Sequence, residues 1–145
     1  HDMKAIRTFL TAGAFAVALG AGSAWAQAND VTIGQRGENN GAGVAQTGRA
    51  NDARIVQVGN DHLATMRQNG ARNRGFIRQY GRGSTAALTQ NGDDNRGAII
   101  QFGNNQNAEL VQNGRSDVAI VQTPEGTREM STNNILLRPI LRGVR

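Results

Sequence analysis

The chain has 145 residues, a net charge of +5, no cysteine, 19 glycines and only 4% aromatic residues. The absence of cysteine excludes a disulfide framework and a cysteine nucleophile, and so few aromatic side chains are too few for an ordinary compact core. Abundant Gly, Asn and Gln would permit disorder unless some regularity supplies a core.

Residues 1–26 have the layout of a secretory signal. Met3, Lys4 and Arg7 form a short basic start, Phe9 to Ala21 an uncharged Ala-rich stretch, and Ala24-Trp25-Ala26 a small-x-small cleavage site. The apolar run is short for a bilayer crossing. His1 and Asp2 precede the Met3 start, so 1–26 are set outside the fold, the mature chain is expected from Gln27, and 27–32 form a short lead.

From there glutamine recurs every eleven residues, at Gln35, Gln46, Gln57, Gln68, Gln79, Gln90, Gln101 and Gln112. Glycine follows two residues after each, at Gly37, Gly48, Gly59, Gly70, Gly81, Gly92, Gly103 and Gly114. A ninth copy, Gln122-Thr123-Pro124, comes one residue early and puts proline where glycine stood. Two positions before the glutamines the residue is always apolar, and four before it is small from Ala42 to Ala108. Small, apolar and Gln at steps of two describe a strand with one face turned inward. Arg54, Thr65, Arg67, Arg78, Ala87, Thr89 and Glu109 fall on the opposite, solvent-directed face. The stretches after each glycine, with Asn40, Asn51, Asn73 and Asn95 in a common slot, supply turn chemistry.

Alternate units differ, so the true period is twenty-two. The apolar position splits into Ile33, Ile55, Ile77 and Ile99 against Val44, Met66, Leu88 and Leu110, while the residue after glutamine is Val58, Tyr80 or Phe102 in one set and Asn69, Asn91 or Asn113 in the other. One coil is therefore strand, turn, strand, turn. The fold expected over 33–122 is an all-β, amyloid-like parallel β-solenoid of about four such coils, followed by a basic tail over 123–145. Stacked coils set residue i over i+22 at about 4.8 Å, so that buried glutamines hydrogen-bond to their own kind above and below, as in steric zippers. The glutamine and Ile/Val/Met/Leu columns are the expected self-assembly ladders. A solenoid's two ends expose unpaired backbone; 31–118 contain no Pro or Lys to blunt them, whereas Pro124 and Pro139 mark a C-terminal side that caps or anchors.

Gln79-Tyr80-Gly81 with Ser84, Ala86 and Gln90, and Gln46, Gly48, Asn51, Ala53 and Gln57, resemble the curlin repeat, Gln-x-Gly-x-x-Asn-x-Ala-x-x-x-Gln. The resemblance extends over about 33–122 and implies a subunit, major or nucleating, that polymerises into curli amyloid at the cell surface in a biofilm matrix. It also implies other curli subunits, an outer-membrane secretion pore and accessory proteins as partners. The family's Gly- and Asn-rich segment before the first repeat has only Gln27 to Asp30 in its place, and the positive charge and basic tail are more similar to the minor, nucleating subunit.

No site for chemistry is expected. His62 occupies the turn slot of Asn40 and Asn51, Asp93-Asp94 is a turn pair with no third acid in register, and a triad lacks its parts, so no catalytic residue, cofactor, metal or small-molecule substrate is assigned. Arg54, Arg67, Arg72, Arg74, Arg78, Arg82 and Arg96 form a positive field open to polyanion contact, with Asp52 over Arg74 and Asp93 over Arg115 expected to pair. Val58, Tyr80 and Phe102 make an outward apolar column that either covers a turn or joins neighbouring fibrils. The alternative to a fibre subunit is a soluble, monomeric β-solenoid that binds surfaces, as an adhesin or polyanion binder.

Overall fold

A computed structural model describes residues 5–10, 14–19 and 28–131; the cleavage motif at 24–26 and the tail from 132 on lie outside the described residues. Strands account for nearly all of them: β1 (Ala5–Leu10), β2 (Ala14–Leu19), β3 (Asp30–Arg36), β4 (Gly41–Arg49), β5 (Asp52–Asn60), β6 (Leu63–Ala71), β7 (Arg74–Arg82), β8 (Thr85–Asn91), β9 (Arg96–Asn104), β10 (Asn107–Asn113), β11 (Asp117–Thr123) and β12 (Gly126–Ser131). Odd-numbered strands stack in one sheet, in the order β1-β3-β5-β7-β9-β11-β12, and even-numbered ones in a second, β10-β8-β6-β4-β2. Pairing is parallel at every step except β11 with β12. The chain thus alternates between two walls and climbs one level per coil, which is the expected parallel β-solenoid, with β3 to β10 forming four coils and β11 starting a fifth.

The period of two in each strand decides what is buried. Along β10 exposed and buried residues alternate without a break. From β3 to β11 the register sets Ile33, Ile55, Ile77, Ile99 and Ile120 over one another, and Val44, Met66, Leu88 and Leu110 face them from the second wall. All are buried in one core, each contributing about 1.5–3 kcal/mol. The small positions let the walls close. A Cβ added at Gly75 would run into the Sδ of Met66, and one at Gly97 would meet the Leu88 Cδ1 at 2.8 Å. The bulkier side chain of the opposite wall thus takes the volume that glycine leaves.

Three features at the ends of the repeat array add to the sequence reading. The solenoid begins at Asn29 and Asp30 rather than at 33, because Val31 is fully buried in the small-residue slot and Asn29 in a corner. Within the span of the basic tail Gly126–Ser131 turns back as β12 and runs antiparallel on β11, since Pro124, packed over Gly103, cannot continue the parallel climb. Finally, parts of the segment set aside as a signal pair with the first coil, β1 on β3 and β2 on β4. The N–H and C=O groups along those two edges are satisfied by any extended chain that reaches them.

The glycines after glutamine answer a different constraint. Gly81 has φ +118°, and a Cβ there would strike the carbonyl oxygen of Gly103 one level up. At the following corners Asn39, Asp61, Gly83 and Asn105 take the left-handed conformation that suits such residues, but Ala50 and Arg72 take it as well, at a cost of about 1–2 kcal/mol each. Gly81→Ala is expected to destabilise the chain by at least about 3 kcal/mol, whereas Gly34→Ala, with open space around the new methyl, is expected to shift the thermal midpoint little. Circular dichroism melts of both variants check this.

Candidate functional site

Two ladders of side-chain amides run the length of the solenoid. In the first wall the Nε2 of Gln35 donates to the Oε1 of Gln57 at 2.6 Å, Gln57 to Gln79 at 2.9 Å, Gln79 to Gln101 at 2.8 Å and Gln101 to Gln122 at 2.7 Å. In the second, Gln46 donates to Gln68 at 2.7 Å, Gln68 to Gln90 at 2.8 Å and Gln90 to Gln112 at 2.8 Å. All these donors point the same way along the axis. Strand alternation aims each amide inward, and the 22-residue register sets it one level from its twin.

The second amide hydrogen crosses the core. Gln57 Nε2 also donates to the Gly41 carbonyl at 2.9 Å, Gln68 to Asp52 at 2.9 Å and Gln90 to Arg74 at 2.9 Å, each sixteen residues back at the start of the facing wall. A glutamine therefore fixes the level above and the wall opposite together. Shorter side chains would reach neither.

Asparagines do the same work at the corners. Asn29, Asn51, Asn73 and Asn95 are fully buried; the Oδ1 of each of the first three accepts the backbone N–H of the next, at 3.0, 3.1 and 3.0 Å. The Nδ2 groups of Asn29, Asn51 and Asn73 donate to glycine carbonyls, as Asn73 does to Gly92 at 2.7 Å, and that of Asn95 donates to the Asn73 Oδ1 and the Asn91 carbonyl, both at 3.0 Å. The other corner column is Asn40, His62, Ser84 and Gln106. His62 N–H donates to the Oδ1 of Asn40 at 3.1 Å, and Ser84 N–H donates to the His62 Nδ1 at 3.3 Å, leaving the ring proton on Nε2, 3.3 Å from the Val58 carbonyl. His62 is thus a corner residue, as its slot implied. Ser84, already placed at the Asn position of the curlin-like repeat, belongs to these columns, as do Asn29, Gln106 and Ser116, which were not named from the sequence; a strict step of twenty-two from Asn51 would have reached Asn29.

The ladders end differently. The Gln46 Oε1 is buried and, among the described residues, accepts no hydrogen bond; the register partner beyond it is Leu19, which carries no amide. At the far end Gln112 Nε2 donates to the Ser116 carbonyl and Oγ, both at 3.1 Å, besides its bond to Arg96. The serine stands in for the next glutamine.

On the outside, the apolar column is partly covered by its own neighbours. Tyr80 and Phe102 stack with ring centroids 5.6 Å apart, and the Arg78 guanidinium lies 4.8 Å from the Tyr80 ring. Among the described residues no group of three His, Asp or Glu is placed to hold a metal.

A family model described as the curlin associated repeat matches residues 26–59, 59–92 and 81–114, more than half of the chain. The matched stretches carry both glutamine ladders up to Gln112. Comparison with curated proteins finds no match, and comparison with solved structures finds none.

Charge sits at the corners and corrects one expected pairing. Arg115 reaches Asp94 at 3.0 Å rather than Asp93, because the last corner is one residue short, and Asp93 instead accepts the Ala71 N–H at 2.8 Å. Asp94 also takes a two-pronged bond from Arg72, at 2.7 and 2.8 Å; with Arg115 this holds its carboxyl far below the usual range. Asp52 lies in register with Arg74, but among the described residues the two form no ion pair. Burial pushes the Asp52 carboxyl up, and the like charge of Asp30 one level below adds to this, only partly offset by Arg74 and Arg54. The signs follow. With its folded value raised, Asp52 costs stability at neutral pH and stops doing so as pH falls through the carboxylate range; Asp94, depressed, contributes at neutral pH and loses that contribution on acidification. Asp52→Asn is expected to raise the thermal midpoint by a few degrees at pH 7 and by nothing at pH 3, whereas Asp94→Asn is expected to lower it at both, somewhat less at pH 3, because a carboxyl held so far down is still ionised in the folded chain there, as melts at the two pH values will record.

Proposed function

Since the chain belongs to the curlin repeat family, we propose that it is a structural subunit of an extracellular curli-type amyloid fibre in a biofilm matrix, exported and then added coil on coil to copies of itself and to other curli subunits. Export through an outer-membrane pore with accessory proteins is part of this reading, and is suggested by the family alone.

The observation that carries the proposal is the unfinished ladder. A buried amide oxygen without a donor costs about 1–3 kcal/mol, and the Gln46 Oε1 is such an atom. At the opposite end β10 is, among the described residues, the last strand of the second sheet, with Gln112 donating beyond its own coil to Ser116. Laying β4 of one copy beside β10 of another would let the Gln112 Nε2 donate to the Gln46 Oε1 and continue the columns of the second wall. Release of residues 1–26 would first uncover β3 and β4. The other half of the C-terminal end is taken by β12, whose reversed direction gives no parallel template, so β10 is the side left for joining.

Two experiments test this. Residues 27–145 released from denaturant are expected to form fibres that bind thioflavin T and give a reflection near about 4.8 Å; a stable β-rich monomer would overturn the proposal in favour of a surface-binding module. In seeded growth Gln46→Ala and Gln112→Ala are expected to slow elongation about tenfold and Arg54→Ala less than about twofold, and equal effects would remove the ladder as the mechanism. Cross-seeding of a major curli subunit separates a nucleating from a bulk role.

A further inference from the structure

Outside the ladders, the corner leading from the second wall to the first carries a groove of about 700 Å³, lined among others by Arg72, Arg74, Arg96, Arg115, Asp94 and Asp117. Its volume falls within the range of small-molecule sites. The groove opens because the left-handed corner position is filled by Ala50 at its lower level, below the longer Arg72 and Asp94.

The four arginines are not equivalent. Arg72 and Arg115 are both committed to Asp94. Arg74 and Arg96 are exposed register partners at the starts of β7 and β9, so their backbones lie about 4.8 Å apart. Neither side chain makes an ion pair or hydrogen bond among the described residues. They form the centre of a column that runs Asp30, Asp52, Arg74, Arg96, Asp117. Two like charges stacked one strand apart repel, and a single anion between them would relieve both, through the fork geometry that suits guanidinium to carboxylate.

We propose that this groove binds a uronate-bearing acidic polysaccharide, with a sugar carboxylate seated between Arg74 and Arg96 and ring hydroxyls meeting the carboxylate of Asp94. The lining selects this class over nucleic acid. Among the described residues no aromatic side chain lines the groove to stack a base, and two carboxylates set among the arginines oppose a closely spaced row of phosphates, whereas a carboxylate accepts hydrogen bonds from hydroxyls. Four arginines against two aspartates leave a charge of +2, enough for one or two uronate groups. The inference requires the folded solenoid and not the fibre.

The test is the affinity of the full chain for labelled oligogalacturonate, with neutral dextran of equal length and a single-stranded deoxyoligonucleotide beside it. Joint Arg74→Ala and Arg96→Ala substitution is expected to weaken oligogalacturonate binding by about tenfold or more, and Arg67→Ala, on the outer face of the second wall, by less than about twofold. Removing a repulsive pair should leave the fold intact, which circular dichroism checks; the joint Arg74→Lys and Arg96→Lys chain, with charge kept and the fork lost, should lie between. Unchanged affinity in both double variants overturns the site. Dextran bound as well as oligogalacturonate overturns the role of the carboxylate, and tighter oligonucleotide binding lost in the same variants replaces the sugar with nucleic acid.

Discussion

A primary amide withdrawn from water has two donors and an acceptor to satisfy, and in this solenoid the partner that answers it at each level is another amide one strand spacing away. Gln57 illustrates the constraint: it accepts from Gln35, donates to Gln79, and spends its remaining hydrogen on the Gly41 carbonyl across the core. The rest of the structure follows from keeping that geometry. Levels must be parallel and in register, each coil must return to the same azimuth after twenty-two residues, and the corners must be tight enough for Gly81 to sit under a carbonyl of the next level.

Because each coil completes its neighbours rather than itself, stability is shared along the axis and interrupted at the ends. The core is narrow, built mainly from one bulky apolar residue per wall and level. Polar ladders and apolar columns are therefore interdependent. Ile55 and Ile77 are dry because the amides beside them close the space between walls, and those amides are affordable in a dry interior because every level repeats them.

Much of this was legible in the sequence, for a physical reason: a period of two within strands and twenty-two between them forces residue type to follow position. The glutamine, aliphatic and glycine columns stand where their spacing put them. What spacing could not carry was chemistry that changes while geometry holds. Gln106 and Ser116 fill corner slots without being asparagine, so composition concealed them. The pairing of Arg115 with Asp94 depends on a single missing residue in the last corner, which moves a side chain by one position. The reversal at β12 depends on Pro124, which showed that the climb stops but not that the chain turns back onto β11. Where charges lie relative to one another at a corner, as in the groove around Arg74 and Arg96, is set by how the turns project and not by the repeat.

The strict coil period also fixes how such a chain can change length over generations. Duplicating or deleting twenty-two residues anywhere between β3 and β10 restores every column, leaving only a longer or shorter stack, so unequal recombination between near-identical coils gives viable products. An eleven-residue change keeps the glutamines inward but exchanges the two walls, setting the Asn51 type of corner over the His62 type and the Tyr80 face over the Asn91 face. A single inserted residue within a strand turns every later glutamine of that strand to solvent. Coil number is thus a quantity that drifts in whole steps, and the spread of lengths among descendants of this sequence should be a ladder with one rung per coil.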